Sequence, residues 1–265
     1  MSPQFHILAC SAVRPAVDAT WADRVPAANK RRDPRIWQMA CVAVADALKQ
    51  SPRPPVSVLS ATALGALDET QAYLDGVFKT NFGSPRNFIA SVHNSMAGKL
   101  AIDFKILGPN FTLCDGPNSL ASALAAASLL GPDDFPALVV AVDEKTALLR
   151  TLAPHFAAEC TPVRSPEWEE GAVAFVIDLQ GSGPTVSARG PVPVMSDSPE
   201  TVFRRLAAAM RSDGATLVLP GAASDSFVKP ALLLFDAVHN RVPGRTVIGA
   251  HSPSSTSVSA IDLCP

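Results

Sequence analysis

Short apolar runs, each long enough for one buried strand, alternate along this chain with longer stretches of helical periodicity, and that alternation is the mark of a layered α/β fold. "FHILACSAV" (5–13) reads as a first strand, and "DPRIWQMACVAVADALKQ" (33–50) as a helix with Asp33 as N-cap and Pro34 at its first position. "PVSVLSATA" (55–63) is a second buried strand. Helices follow through "LDETQAYLDGVFKT" (67–80) and "SPRNFIASVHNSMAGKLAIDF" (84–104), the latter opened by Ser84 and Pro85. "NFTLCD" (110–115), "PALVVAVDE" (136–144) and "EEGAVAFVIDL" (169–179) are further strands. "SLASALAAASLL" (119–130) is a helix whose small side chains let other backbones approach closely.

From Gly181 to Ser198 the chain turns to Gly, Pro and Ser, which marks a boundary between a half spanning 1–180 and a shorter one spanning 181–265. Beyond it, a helix (198–214), a strand (215–223), a helix interrupted by Pro230 (226–240) and a strand (244–252) echo the first half in brief, and the tail from Ser252 is rich in Ser. At 265 residues the chain fits one large domain or two small halves packed together.

Apolar residues make up 48% and charged residues 17%, with a formal net charge of −2. That composition suggests neither a nucleic-acid-binding surface nor a disordered chain, so the expected partner is a protein or a small molecule. Five cysteines (Cys10, Cys41, Cys114, Cys160, Cys264) are scattered without a CxxC pair, which fits a reducing compartment and gives no cysteine metal site. The start "MSPQFHILACSAVRPAV" lacks a basic region followed by a sustained apolar one, so the expected location is the cytoplasm. No apolar run reaches the roughly 18–20 residues of a membrane span.

A strand that delivers a residue to a tight turn at the start of a helix is a recurrent way to present a nucleophile, because helix-terminal N–H groups stabilise an anion there. "NFTLCDGPNSLASALAAASLL" (110–130) is such a unit. The longer text "SVHNSMAGKLAIDFKILGPNFTLCDGPNSLASALAAASLL" (91–130) resembles the thiolase-like family of β-ketoacyl synthases. Asn94, Ala97 and Gly98 keep that family's spacing to Gly108 and Pro109. "FPALVVAVDE" and "PEWEEGAVAFVID" (166–178) are similar to later family segments, and the likeness covers residues 50–180 best. It implies a layered αβαβα fold, with the first half near complete and the second truncated.

Counted from Gly108, the family's nucleophilic cysteine falls on Pro117, which carries no nucleophile and no N–H. Cys114 stands three residues earlier, on the expected strand, where alternation aims it into the sheet packing as a small buried hydrophobe. One of the family's two histidines falls on Pro220 in "VLPGAAS" (218–224); the other has a candidate in His251 of "GAHSPSSTSVSA" (249–260). Losing the nucleophile abolishes the covalent acyl intermediate.

The resemblance therefore implies a catalytically silent, chain-length-factor-like subunit that pairs with an active ketosynthase in fatty acid or polyketide biosynthesis, like the short members that accompany aryl polyene synthases. His93, Asn94 and Met96, with Ser119 and Ser122, are the expected interface and tunnel wall. Lys30, Arg31, Arg32 and Arg35 of "NKRRDPR" are the expected docking site for an acidic acyl carrier protein, with Arg53, Lys79 and Arg86 as possible additions. No cofactor is expected to be bound; phosphopantetheine-linked acyl chains arrive on the carrier.

His6, His155 and His239 have no partner at a catalytic spacing, and Glu169 and Glu170 read as structural. Two rival readings stay open: an acyltransferase or condensing enzyme with Cys114 as nucleophile and His251 as helper, and an acyl-binding or scaffold homodimer.

Overall fold

The computed structural model describes residues 3–156, 169–194, 198–210, 214–218, 227–251 and 257–265. Its strands are β1 (Phe5–Val13), β2 (Ser57–Ala61), β3 (Asn110–Leu113), β4 (Ala137–Asp143), β5 (Gly171–Asp178), β6 (Thr185–Pro193), β7 (Thr216–Val218), β8 (Thr246–His251) and β9 (Ser257–Cys264). They form one sheet in the order β3-β2-β4-β5-β1-β6-β9-β8-β7.

Strand directions repeat about the centre of that sheet. β2 runs parallel to β3 and β4, while β5 is antiparallel to both β4 and β1. In the second half β8 is parallel to β7, and β9 is antiparallel to both β8 and β6. The two sets meet where β1 and β6 pair antiparallel, Phe5 opposite Val186 and His6 opposite Thr185. Short as that pairing is, it makes β1 and β6 equivalent strands of two mirrored half-sheets.

Helices fill three layers. α1 (Ala27–Arg32) precedes α2 (Arg35–Gln50), which buries Ile36, Met39, Ala40, Ala43, Val44 and Ala47. That helical stripe packs on the outer face of β1, β4 and β5. α3 (Leu67–Thr80), α4 (Pro85–Ser91) and α5 (Ser95–Phe104) follow β2, with the Ser84 hydroxyl accepting the Asn87 N–H to open α4. α6 (Ser119–Ala126) and, after α7 (Ala147–Phe156) and α8 (Pro199–Ala209), α9 (Lys229–His239) form the middle layer.

α6 touches β2, β3 and β4 of its own half and β6 and β9 of the other; α9 touches β8 and also β1 and β5. An element covered on opposite sides must be apolar nearly all round, which is why "SLASALAA" is built of alanine, leucine and serine. α8 closes the far side against Val247, Val258 and Ala260. The result is the five-layer αβαβα arrangement, with Phe5, Phe175, Leu124, Leu232 and Leu234 at its centre.

Several elements differ from the sequence expectation. The stretch read as a boundary contains β6, and the serine-rich tail contains β9, because Val186, Ser187 and Ala188 are buried against the Ser257–Cys264 strand. "NKRR" is helical, and Asp33 caps the end of α1 rather than the start of α2; its carboxylate accepts from Asn29 and pairs with Lys99. α7 was not signalled. Among the described residues the second half has no counterpart of α3, α4, α5 or β3: α9 leads from β7 to β8.

Candidate functional site

β3 ends at Leu113, and Gly116 takes a left-handed φ of 52°, a conformation that a side chain would disfavour. Gly116–Asn118 then form a single 3-10 turn ahead of α6. The Asp115 N–H donates to the Ser119 hydroxyl (2.9 Å), which itself lies 2.7 Å from the Gly116 carbonyl and 3.1 Å from that of Thr62. Ser122 donates to the Asp115 carboxylate (2.9 Å). Asn118 is fully buried: its carbonyl oxygen accepts from the Ser259 hydroxyl (2.7 Å) and its amide donates to Ser257 (3.2 Å). The turn that would present a nucleophile presents Pro117, and its polar groups tie α6 to β9 of the other half.

Cys114 does not pack into the sheet. It lies one residue beyond the strand end and is exposed, because β3 is the edge strand and its pairing with β2 stops at Leu113 and Ala61. Neighbouring protein atoms, and next the Asp143 carboxylate, push its thiol above the ordinary value. A thiol so placed is less ionised, and so less nucleophilic, than a free cysteine.

The end of β4 carries two carboxyls that sequence reading passed over. Asp143 accepts hydrogen bonds from Thr62 Oγ1 (2.9 Å) and from the N–H groups of Ala63 (2.9 Å) and Leu64 (3.2 Å). Burial still pushes its pKa up to about 7. Glu144 is 5% exposed, and its Oε1 has no hydrogen-bond partner among the described residues. Its pKa is also raised to about 7, first by burial and then by the charge of Asp68, with Glu170 adding to it and Arg35 opposing.

Glu170 accepts the Lys145 N–H (3.0 Å) and pairs with Arg35, whose guanidinium lies 5.0 Å from the Trp21 ring centre. Glu169 pairs with Lys229 (2.9 Å). The signal for Asp143 and Glu144 was the abrupt charge ending "ALVVAVDE", which alone does not reveal what they hold.

Near this end a small cleft is lined by residues that include Thr62, Gly65, Val92, His93 and Met96. Gly65 has a φ of 62°, and a Cβ there would meet the His93 ring at 3.0 Å. His93 and Asn94 are exposed, whereas Met96 and Ser119 are buried and Ser122 is half-buried. Beside the cleft, the α3–α4 hairpin exposes Leu74, Phe78, Phe82, Phe88, Ile89 and Val92; Phe78 is 81% and Phe82 67% exposed. α3 buries no residue, and its Tyr73 ring rests on Phe88 at 5.3 Å. Such an exposed apolar cluster is uncommon on a lone soluble protein and marks an interaction surface. β3, at the sheet edge, adds backbone groups that no strand among the described residues pairs with, and a partly exposed Phe111.

Of the expected docking cations, Lys30, Arg31 and Arg32 are exposed at the end of α1, and Arg86 joins them by donating to the Arg32 carbonyl (2.9 Å). Arg35 is drawn instead to Glu170 and Trp21, Arg53 to Asp178, and Lys79 to Asp75. His6 meets the Gly183 carbonyl (3.2 Å), and His239 stacks on Phe235. Pro220 lies outside the described residues, as do the side chains of His155 and His251; the His251 backbone ends β8 opposite Val258. Among the described residues no helix is long and apolar enough to cross a membrane.

Residues 9–184 match the family described as beta-ketoacyl synthase, N-terminal domain. No curated protein matches the chain. Among solved structures, the ishigamide ketosynthase/chain length factor superposes with a TM-score of 0.71 at 18% identity, over 98% of this chain and 99% of that one. A ketosynthase (ApeO) in complex with its chain length factor (ApeC) from Xenorhabdus doucetiae gives 0.64 at 15%, over all of both chains. AntDE:AntF, a type II polyketide synthase acyl-carrier protein in complex with its ketosynthase bound to the hexaketide, gives 0.75 at 12%, over all of this chain and 99% of that one. At these identities the structural matches establish the fold.

Proposed function

Because the chain belongs to the β-ketoacyl synthase family, we propose that it is a catalytically silent, chain-length-factor-like subunit that pairs with an active ketosynthase in polyketide or fatty acid biosynthesis. One observation carries this reading: the turn that leads into α6 offers Pro117 where the family's nucleophile stands, and its side-chain hydrogen bonds are spent within the protein. Covalent acyl transfer needs an activated nucleophile at that point. Solved structures of the same fold include ketosynthase–chain length factor complexes, which supports the same partner here.

In this reading the α3–α4 hairpin and the free edge of β3 face the ketosynthase, with His93 and Asn94 beside the apolar contact. The shared acyl tunnel runs along this seam, and what lines it sets product length. Lys30, Arg31, Arg32 and Arg86 form the cationic patch for an acidic acyl carrier protein, whose phosphopantetheine arm brings the chain. The division at residues 180 and 181 separates the half that pairs from a reduced half that supports the α6 turn through Ser257 and Ser259.

The test is co-expression with a neighbouring ketosynthase and carrier protein, measuring complex mass and product length with and without this chain. A heterodimer whose product changes when the chain is omitted is the expected result. Unchanged product overturns the proposal, and a homodimer that ignores the ketosynthase favours the scaffold reading.

The exposure of Cys114 gives the enzyme reading its one support. Alkylation by iodoacetamide distinguishes the two. A rate at neutral pH below that of a free thiol, rising as the pH goes up, is expected from the raised thiol pKa. Rapid, selective labelling at neutral pH identifies Cys114 as an activated nucleophile.

A further inference from the structure

The tip of the α3–α4 hairpin is built by the hairpin's own residues. α3 buries no residue and packs chiefly on α4 rather than on the sheet. Asn81 ends it with a left-handed φ of 53°, and the Gly76 carbonyl accepts both the Phe82 N–H (3.1 Å) and the Thr80 hydroxyl (2.7 Å). Two glycines let this turn close. A Cβ on Gly76 would lie 2.5 Å from the Phe82 carbonyl oxygen, and one on Gly83 would lie 2.4 Å from the Tyr73 ring and 2.9 Å from Val77. The same Tyr73 ring rests on Phe88 of α4, whose first turn is capped by Ser84. All of these contacts lie within residues 73–88, and none reaches the sheet.

This framework holds Phe78 and Phe82 outward. Together with Leu74, Phe88, Ile89 and Val92 they expose an apolar surface on the order of 600 Å², against the roughly 800 Å² that each partner contributes to a stable protein interface. A surface of that extent matches a protein face, and its occupant is the ketosynthase.

We propose that Tyr73, Gly76 and Gly83 are positioning residues that form the hairpin tip in the unpaired chain, so that Phe78 and Phe82 meet the ketosynthase as fixed anchors. This rests on the reading of the hairpin as the pairing face. The ordering cost of the tip then falls on folding instead of on association.

Tyr73 is the only tyrosine of the chain, so fluorotyrosine labelling gives a single fluorine NMR line. In the isolated chain that line is expected to be displaced from its position in urea; an undisplaced line overturns the proposal. Association with purified ketosynthase is then followed kinetically. In Gly83→Ala the on-rate is expected to fall about tenfold with the off-rate nearly unchanged, because only chains with a formed tip can bind. Tyr73→Leu is expected to do the same and serves if Gly83→Ala does not fold, whereas Tyr73→Phe keeps the natural rate. An unchanged on-rate in both, or a loss carried mainly by the off-rate, overturns the positioning role and leaves the pairing standing. An isolated chain that is a dimer, and that Phe82→Asp makes monomeric, overturns the choice of occupant. If the natural chain does not associate at all, the pairing itself fails, and the fluorine line still decides whether the tip is preformed.

Discussion

Asn118 shows how a single side chain can join the two halves of the fold. Pro117 carries neither a nucleophile nor an N–H, and beside it Asn118 bridges α6 to β9 through two serine hydroxyls. Replacing Asn118 by Ala strands the buried Ser259 hydroxyl and opens a small void. A loss of about 1–3 kcal/mol is expected in urea unfolding, with Ser259→Ala costing less because the amide then keeps a donor role toward Ser257. Little of this was legible in advance. The motif spacing placed Pro117, but the partner serines lie some 140 positions away in a segment whose composition reads as tail.

At the scale of elements, α3 and α6 are opposites. α6 is apolar on all sides because two half-sheets cover it, and α3 is apolar outward because nothing among the described residues covers that face. Sequence periodicity marked both as helices, and the bounds of α3 agree residue for residue. What periodicity could not give is the direction of the apolar face, since a stripe reads alike whether it meets the core or a partner. Phe78→Asp and Phe82→Asp are accordingly expected to leave the chain's own unfolding midpoint nearly unchanged, within about 0.5 kcal/mol. The same changes should abolish co-purification with the ketosynthase. A large loss of stability in the isolated chain would place these rings in its core instead.

For the whole molecule, the two carboxyls at the end of β4 set a pH dependence. Asp143 and Glu144 have native pKa values raised to about 7, and Asp68 is raised by burial as well. Between the ordinary carboxyl range near 4 and about 7 the native state holds protons that the unfolded chain has released. Stability therefore falls as pH rises through that window and levels off above it. The melting temperature is expected to be higher at about pH 5.5 than at about pH 8, and the difference should shrink in Glu144→Gln. The opposite slope would mean that Glu144 is ionised and paired in the native protein.

The sequence by itself determined the alternation of strands and helices, the layered class, and the absence of a nucleophile at position 117, because these depend on local periodicity and on spacing within one stretch. Tertiary structure decided the rest. β6 and β9 are strands because each supplies the other's hydrogen bonds, and neither carries a strong pattern alone. Cys114 is exposed because β3 ends at Leu113, two residues short of the expected strand, and lies at the sheet edge. Arg35 leaves the cationic cluster because a carboxylate 135 positions away reaches it. Each outcome turns on groups remote in sequence, whose meeting costs chain entropy and is repaid only when both half-sheets close over α6 and α9.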